Sequence, residues 1–178
     1  MMPSSRRPTL APLGSLVPLW SLALLGALLC PAPGAAQDME PVPPEARDVL
    51  EVVDALFDAM RARDGEAVAR VFHPDAGLMS TRVADDGSPE VTISSVAGFA
   101  EAVGAGGEPW DEPWFAPRLE VDGALAQVWI FYRFYVGDTF SHCGHNSIQL
   151  VRDAEAGWQI AHLVDSRRTR ECDPPDAD

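Results

Sequence analysis

The chain has 178 residues, with 13 basic and 27 acidic side chains and a formal net charge of −14. Every basic residue is arginine. A surface this acidic repels phosphate backbones and anionic membrane surfaces, which excludes nucleic-acid binding from the expected roles.

The N-terminus has the grammar of an export signal. Arg6 and Arg7 form a short positive region, Leu16 to Leu29 is nearly continuous apolar sequence broken by Pro18 and Ser21, and Gly34-Ala35-Ala36 supplies small residues before Gln37. This pattern predicts a cleaved signal peptide over residues 1–36 and an exported protein, periplasmic or secreted. A retained membrane anchor is the competing reading, but the apolar run falls short of the ~20 residues that a helical span needs. A lipid anchor on Cys30 would want a small residue before it, where Leu29 stands. Two arginines and no acid lie in 1–36, so cleavage takes the net charge from −14 to −16. What remains is long enough for one core. It holds two cysteines, Cys143 and Cys172, an even count that favours a disulfide in an oxidising compartment.

Residues 37–44 read as a proline-rich linker, and 173–178 as an acidic tail. Between them Val49, Val52, Val53, Leu56, Phe57 and Met60 recur at the spacing of one helical face. Pro44 and Glu45 suit the start of that helix, through a fixed φ and a negative charge at the dipole's positive end. Asp64 is placed to cap a second, shorter helix with Val68, Val71 and Phe72 on its apolar edge, ended by His73-Pro74-Asp75-Ala76-Gly77. A strand over 78–83, a turn at Asp85-Asp86-Gly87 and a short strand at Val91-Thr92-Ile93 follow. Ser94 or Ser95 can cap a third helix through Val103, and 104–109 is a loop.

The rest predicts a meander of four strands: 114–121, 124–136, 140–152 and 158–167, turning at Asp122-Gly123, Gly137-Asp138 and Asp153 to Gly157. The second of these is apolar on both faces and reads as central, covered on both sides. Helices gathered on one face of a curved antiparallel sheet make an α+β layer fold with a pocket at its open end.

Several pieces carry a family resemblance: Phe72-His73-Pro74-Asp75-Ala76, Val128 through Tyr135, Phe140-Ser141-His142-Cys143-Gly144, and Gly157-Trp158-Gln159-Ile160 leading to Asp165-Ser166-Arg167-Arg168. Through them residues 45–172 resemble the nuclear-transport-factor-2-like (NTF2-like) superfamily, which includes ketosteroid isomerases, scytalone dehydratase and SnoaL-like polyketide cyclases. The last three pieces resemble an exported, uncharacterised bacterial branch, in which a small or apolar residue usually stands where this chain has His145. The resemblance implies a cone-shaped, cystatin-like fold. Such a fold hosts enzymes, ligand binders and assembly modules, and often pairs as a homodimer through the convex sheet face.

Candidate site residues follow from strand parity. With a short turn centred on Glu155, Leu150 faces Ile160, Asn146 faces Val164, His145 faces Asp165 and Cys143 faces Arg167. In that register Asp165 orients the His145 imidazole, as a base-positioning carboxylate does. His142 and Asn146 share the other face with His162 and Tyr132. The resulting expectation is a small-molecule pocket, either a binder or a cofactor-independent acid–base enzyme of isomerase, dehydratase or cyclase type. Its catalytic candidates are His142, Tyr132 and Asp165, and its ligand-binding candidates are Trp129, His145, Asn146 and His162. The ligand expected is a small apolar or mixed-polarity molecule. The bland counterparts are a surface His145–Asp165 pair, half-buried structural histidines and tryptophans serving as core. The alternative function is a non-catalytic dimerisation or accessory module with a filled cone. For the thiols, a Cys143–Cys172 disulfide competes with a zinc site of Cys143, His145, Asp165 and Cys172, whose spacing lacks the paired grammar of structural zinc; no metal or cofactor is expected.

Overall fold

The computed structural model describes residues 44–175. The expected signal peptide, and all of the linker except Pro44, lie outside them. Helix α1 spans Pro44–Ala62, so Pro44 is its first residue and not part of a linker. Its apolar stripe is buried as the periodicity predicts: Val49, Val53, Leu56, Phe57 and Met60 are at most 4% exposed. Arg63, with φ 58°, breaks the helix, and Asp64 caps α2, Gly65–Val71, by accepting from the Ala67 amide at 2.8 Å. Helix α3, Val96–Gly104, is capped in the same way by Ser95, whose hydroxyl accepts from the Gly98 amide.

Seven strands make one sheet: β1 Phe72–Val83, β2 Pro89–Ser94, β3 Trp110–Asp111, β4 Trp114–Asp122, β5 Leu125–Val136, β6 Thr139–Asp153 and β7 Gly157–Arg167. The order is β2-β1-β7-β6-β5, with β3 and β4 both pairing along β5. β1 runs parallel to β7 and every other pair is antiparallel, so the sheet is mixed and not the wholly antiparallel sheet expected. The core lies between α1 and the concave face, where Val128, Ile130, Ile148, Leu150 and Ile160 are fully buried. No helix among the described residues is long and apolar enough to cross a membrane.

Three further expectations change. β1 begins at Phe72, directly after α2, and residues 73–76 form an irregularity in it where a turn was expected. β5 is covered on both sides only in part: Val128, Ile130 and Tyr132 are buried on one face, but on the other Phe131 is buried while Leu125 is 54% and Trp129 40% exposed. Apolar side chains on a strand therefore do not by themselves report burial.

The third change concerns the last hairpin. Leu150 faces Ile160 as counted from the turn, but the next pair is Gln149 with His162. Ala161 is an extra residue in β7, a bulge. Beyond it every pair slips by one, so that Asn146 faces Asp165 and Cys143 faces Arg168. The expected His145–Asp165 pair does not form.

Candidate functional site

A cavity of about 650 Å³ opens between α1, α3 and the concave sheet face. Its apolar wall comes from Leu56, Phe57 and Met60 on α1 and from Phe99, Trp110 and Phe134. Its polar wall comes from the strands, which aim alternate residues inward. β6 contributes His142 and Asn146, β5 contributes Tyr132, and β7 contributes Asp165 and Arg167.

Asp165 is the hub of these groups and is 6% exposed. The Ser80 hydroxyl donates to its Oδ1 at 2.6 Å. Arg167, two residues on and hence on the same face, donates from Nε to Oδ2 at 2.6 Å and from Nη2 to Oδ1 at 3.2 Å. The same Nη2 donates to Ser80 Oγ at 2.7 Å, which closes a triangle of strong, charge-assisted bonds. Tyr132 donates its hydroxyl to the Ser166 carbonyl at 2.9 Å, and lies 3.3 Å from Asp165 Oδ2. Burial, then the Asp165 charge, raise the Tyr132 pKa, so the phenol keeps its proton.

His142 stands nearer the mouth. Its Nδ1 is 3.0 Å from Ser141 Oγ, and its ring packs against Phe134 and Tyr132, with centroids 4.9 and 5.7 Å away. Burial, helped by the Arg167 charge, pushes its pKa down to about 4, so the imidazole is neutral at ordinary pH. Nε2 makes no hydrogen bond among the described residues and remains open to either role.

A further buried polar group is Glu112, 8% exposed, on the segment joining β3 to β4. Alternation sends Trp110 and Glu112 into the cavity, while Asp111 pairs with Arg61 at 2.6 Å. The Asn146 amide, 1% exposed, donates to Glu112 Oε1 at 2.8 Å. Burial, reinforced by the Asp165 charge, lifts the Glu112 pKa to about 8 despite that bond. Sequence reasoning passed over Glu112. The signal lay in Trp110-Asp111-Glu112-Pro113-Trp114, where acids sit among residues that seek burial.

The candidates predicted from sequence thus divide. His142, Tyr132, Asp165 and Asn146 line one cavity. Trp129, His145 and His162 are not in it. His145 stacks on Trp129 on the outer face, with ring centroids 5.1 Å apart, and its backbone amide donates to Ser166 Oγ at 3.0 Å. Burial and the nearby Arg168 and Arg118 charges lower its pKa, the opposite of the expected effect of an aspartate partner. His162 packs beside Gly77, where an added Cβ would come within 2.7 Å of its ring. Cys143 and Cys172 form a disulfide, with Cα atoms 5.6 Å apart, that ties the C-terminal segment to β6. Both thiols are consumed by it and the bulge keeps Asp165 away from His145, so the alternative zinc set is not assembled. Arg133 reinforces the tie, donating to the Cys172 carbonyl at 2.6 Å.

No family model matches the chain, and no curated protein matches it. Solved structures do. An NTF2-like protein of unknown function from Shewanella baltica is 15% identical, with a TM-score of 0.55 over 70% of this chain and 94% of that one. An NTF2-like superfamily protein from Salmonella enterica is 16% identical, with a TM-score of 0.54 over 71% and 93%. A protein of unknown function with a cystatin-like fold from Nostoc punctiforme is 9% identical, with a TM-score of 0.53 over 70% and 91%. At these identities the likeness concerns the path of the backbone and not its chemistry. From its helices, its curved mixed sheet and these neighbours together, the chain has the NTF2-like, cystatin-like α+β fold.

Proposed function

We propose that the chain is an exported protein whose cone takes a small molecule of mixed polarity and acts on it by cofactor-independent acid–base chemistry. One observation carries this reading. His142, Tyr132, Asp165 and Asn146, drawn from three strands, converge on a single cavity whose facing wall, Leu56, Phe57, Met60, Phe99, Trp110 and Phe134, is apolar. Convergent polar groups in a mainly apolar recess are what orienting and protonating a small substrate requires. An open recess of about 650 Å³ favours ligand handling over a filled cone. The disulfide agrees with passage through an oxidising compartment. Pairing of two copies across the outer face, around Leu125 and Trp129, belongs to the same proposal.

The test is native mass spectrometry of protein recovered from the source periplasm. The expected spectrum shows loss of residues 1–36, a disulfide, a dimer, and a small-molecule adduct that is weakened in His142→Ala. A processed, folded protein that carries no small molecule and takes none up from a metabolite extract would remove the ligand-handling reading.

A further inference from the structure

Beside Asn146 in the cavity, the geometry points to a subsite for an uncharged acceptor oxygen, such as a ketone, ester or amide carbonyl, read by the Glu112 carboxyl acting as hydrogen-bond donor. This rests on the small-molecule reading above and adds the class of ligand.

Three observations support it. First, Asn146 donates to Glu112 Oε1, so Oε1 is the acceptor oxygen and a carboxyl proton belongs on Oε2. Among the described residues Oε2 has no hydrogen-bond partner, and the carboxyl faces the cavity. Oε2 is thus left open to the cavity, where a ligand oxygen can accept from it.

Second, the charges around Glu112 leave no counterion for a charged ligand. On β7, Asp165 and Arg167 neutralise each other through two bonds, and Ser80 on β1 takes a further Arg167 donor. On β3, Asp111 is paired with Arg61. On β5, Tyr132 is directed at the Ser166 carbonyl, and on β6 His142 is neutral. α1 and α3 present Leu56, Phe57, Met60 and Phe99 to the cavity. A carboxylate or phosphate would find no cation there that is not already paired with a carboxylate.

Third, burial keeps the Glu112 carboxyl protonated to about pH 8, so the donor is present at ordinary pH. Between pH 6 and pH 9.5 Glu112 changes charge, while Tyr132 keeps its proton and His142 stays neutral. Ionisation turns Oε2 from donor to acceptor and repels a carbonyl oxygen.

The experiment measures binding of three naphthalenes of matched shape to the purified full-length mature protein by isothermal titration at pH 6 and pH 9.5. The probes are 2-acetonaphthalene, 2-ethylnaphthalene and 2-naphthoate. The ketone is expected to bind about fivefold to tenfold more tightly than the hydrocarbon at pH 6, the margin of one buried hydrogen bond, and to lose that margin at pH 9.5. Naphthoate is expected to bind most weakly at both. Glu112→Gln keeps a donor without a titrating proton, so its ketone preference should persist at both pH values. Glu112→Leu should show none at either. Equal binding of all three probes at pH 6 leaves a ligand pocket and overturns the carbonyl subsite. Binding of none overturns both readings. A Glu112→Gln protein that loses the preference at pH 9.5 as the parent does also overturns the subsite, whether or not Glu112→Leu folds.

Discussion

Replacing Glu112 with glutamine should stabilise the protein at neutral and alkaline pH, although it removes a charge-capable group from a polar site. The unfolded chain releases the Glu112 proton near pH 4.5, while the folded chain holds it to about pH 8. Between those values the folded state binds one more proton, so stability falls as pH rises and levels off above pH 8. At about 1.36 kcal/mol per pH unit, the parent at pH 8 has lost roughly 4 kcal/mol relative to acid conditions through this group alone. His142 acts in the opposite sense. Its folded pKa lies below that of the unfolded chain, so its contribution is gained as pH rises from about 4 toward 6.5, and is smaller because the ring is only half buried. The clean window is therefore pH 6.5 to 8, where the parent should lose about 1.5 kcal/mol and Glu112→Gln should lose none. Glutamine keeps the oxygen that accepts from Asn146, so the variant should fold and exceed the parent by up to about 4 kcal/mol at pH 8. Urea unfolding across that range, with the disulfide intact, measures both. A parent whose stability is flat from pH 6.5 to 8, or a variant less stable than the parent at pH 8, would refute the claim that Glu112 is buried in its neutral form.

Three other outcomes follow from the same contacts. Cys172→Ser opens a link spanning 29 residues and should cost about 3–4 kcal/mol in urea unfolding, a difference that reductant abolishes; a loss under 1 kcal/mol would mean that the tail is held by Arg133 instead. Asp165→Asn strips Arg167 of its charged partner and should cost about 2 kcal/mol, part of which Arg167→Gln restores in the double variant; strict additivity would show the two are not coupled. Gly65→Ala would place a Cβ 2.2 Å from the Ala100 carbonyl oxygen, so α2 and α3 must separate at a cost of about 1–3 kcal/mol, and an unchanged melting temperature would contradict that close approach.

Local features were readable from the sequence, and pairings at a distance much less so. The periodicity from Val49 to Met60 and the caps at Asp64 and Ser95 are written in neighbouring residues, and the three helices lie where those residues put them. Strand alternation likewise places His142 and Asn146 on one face. The parallel contact of β1 with β7 joins segments some 85 residues apart, and no local pattern encodes it. Asp165 was counted onto the wrong side because the count ran through Ala161, a residue with no side-chain feature that marks a bulge. Trp129 was read as pocket wall because apolar character was equated with enclosure, whereas it lies on the open face. Glu112 was missed because a lone glutamate in a short connection carries no periodic signal.

The bulge at Ala161 also has a meaning for how this cavity could be altered. From Leu163 onward β7 sends Leu163, Asp165 and Arg167 inward. Were the same residues paired without the bulge, Gln149 would face Ala161 and the two sides of that half-strand would be exchanged, setting Val164, Ser166 and Arg168 in their places. The interior would lose its only carboxylate–guanidinium pair from this strand, and Tyr132 would lose its neighbour, without a single amino-acid substitution. The bulge therefore works as a selector between two interiors encoded in the same segment. Related chains that lack this one residue would pair regularly and still enclose Leu163, Asp165 and Arg167, whereas chains that keep it without bulging would enclose the opposite set.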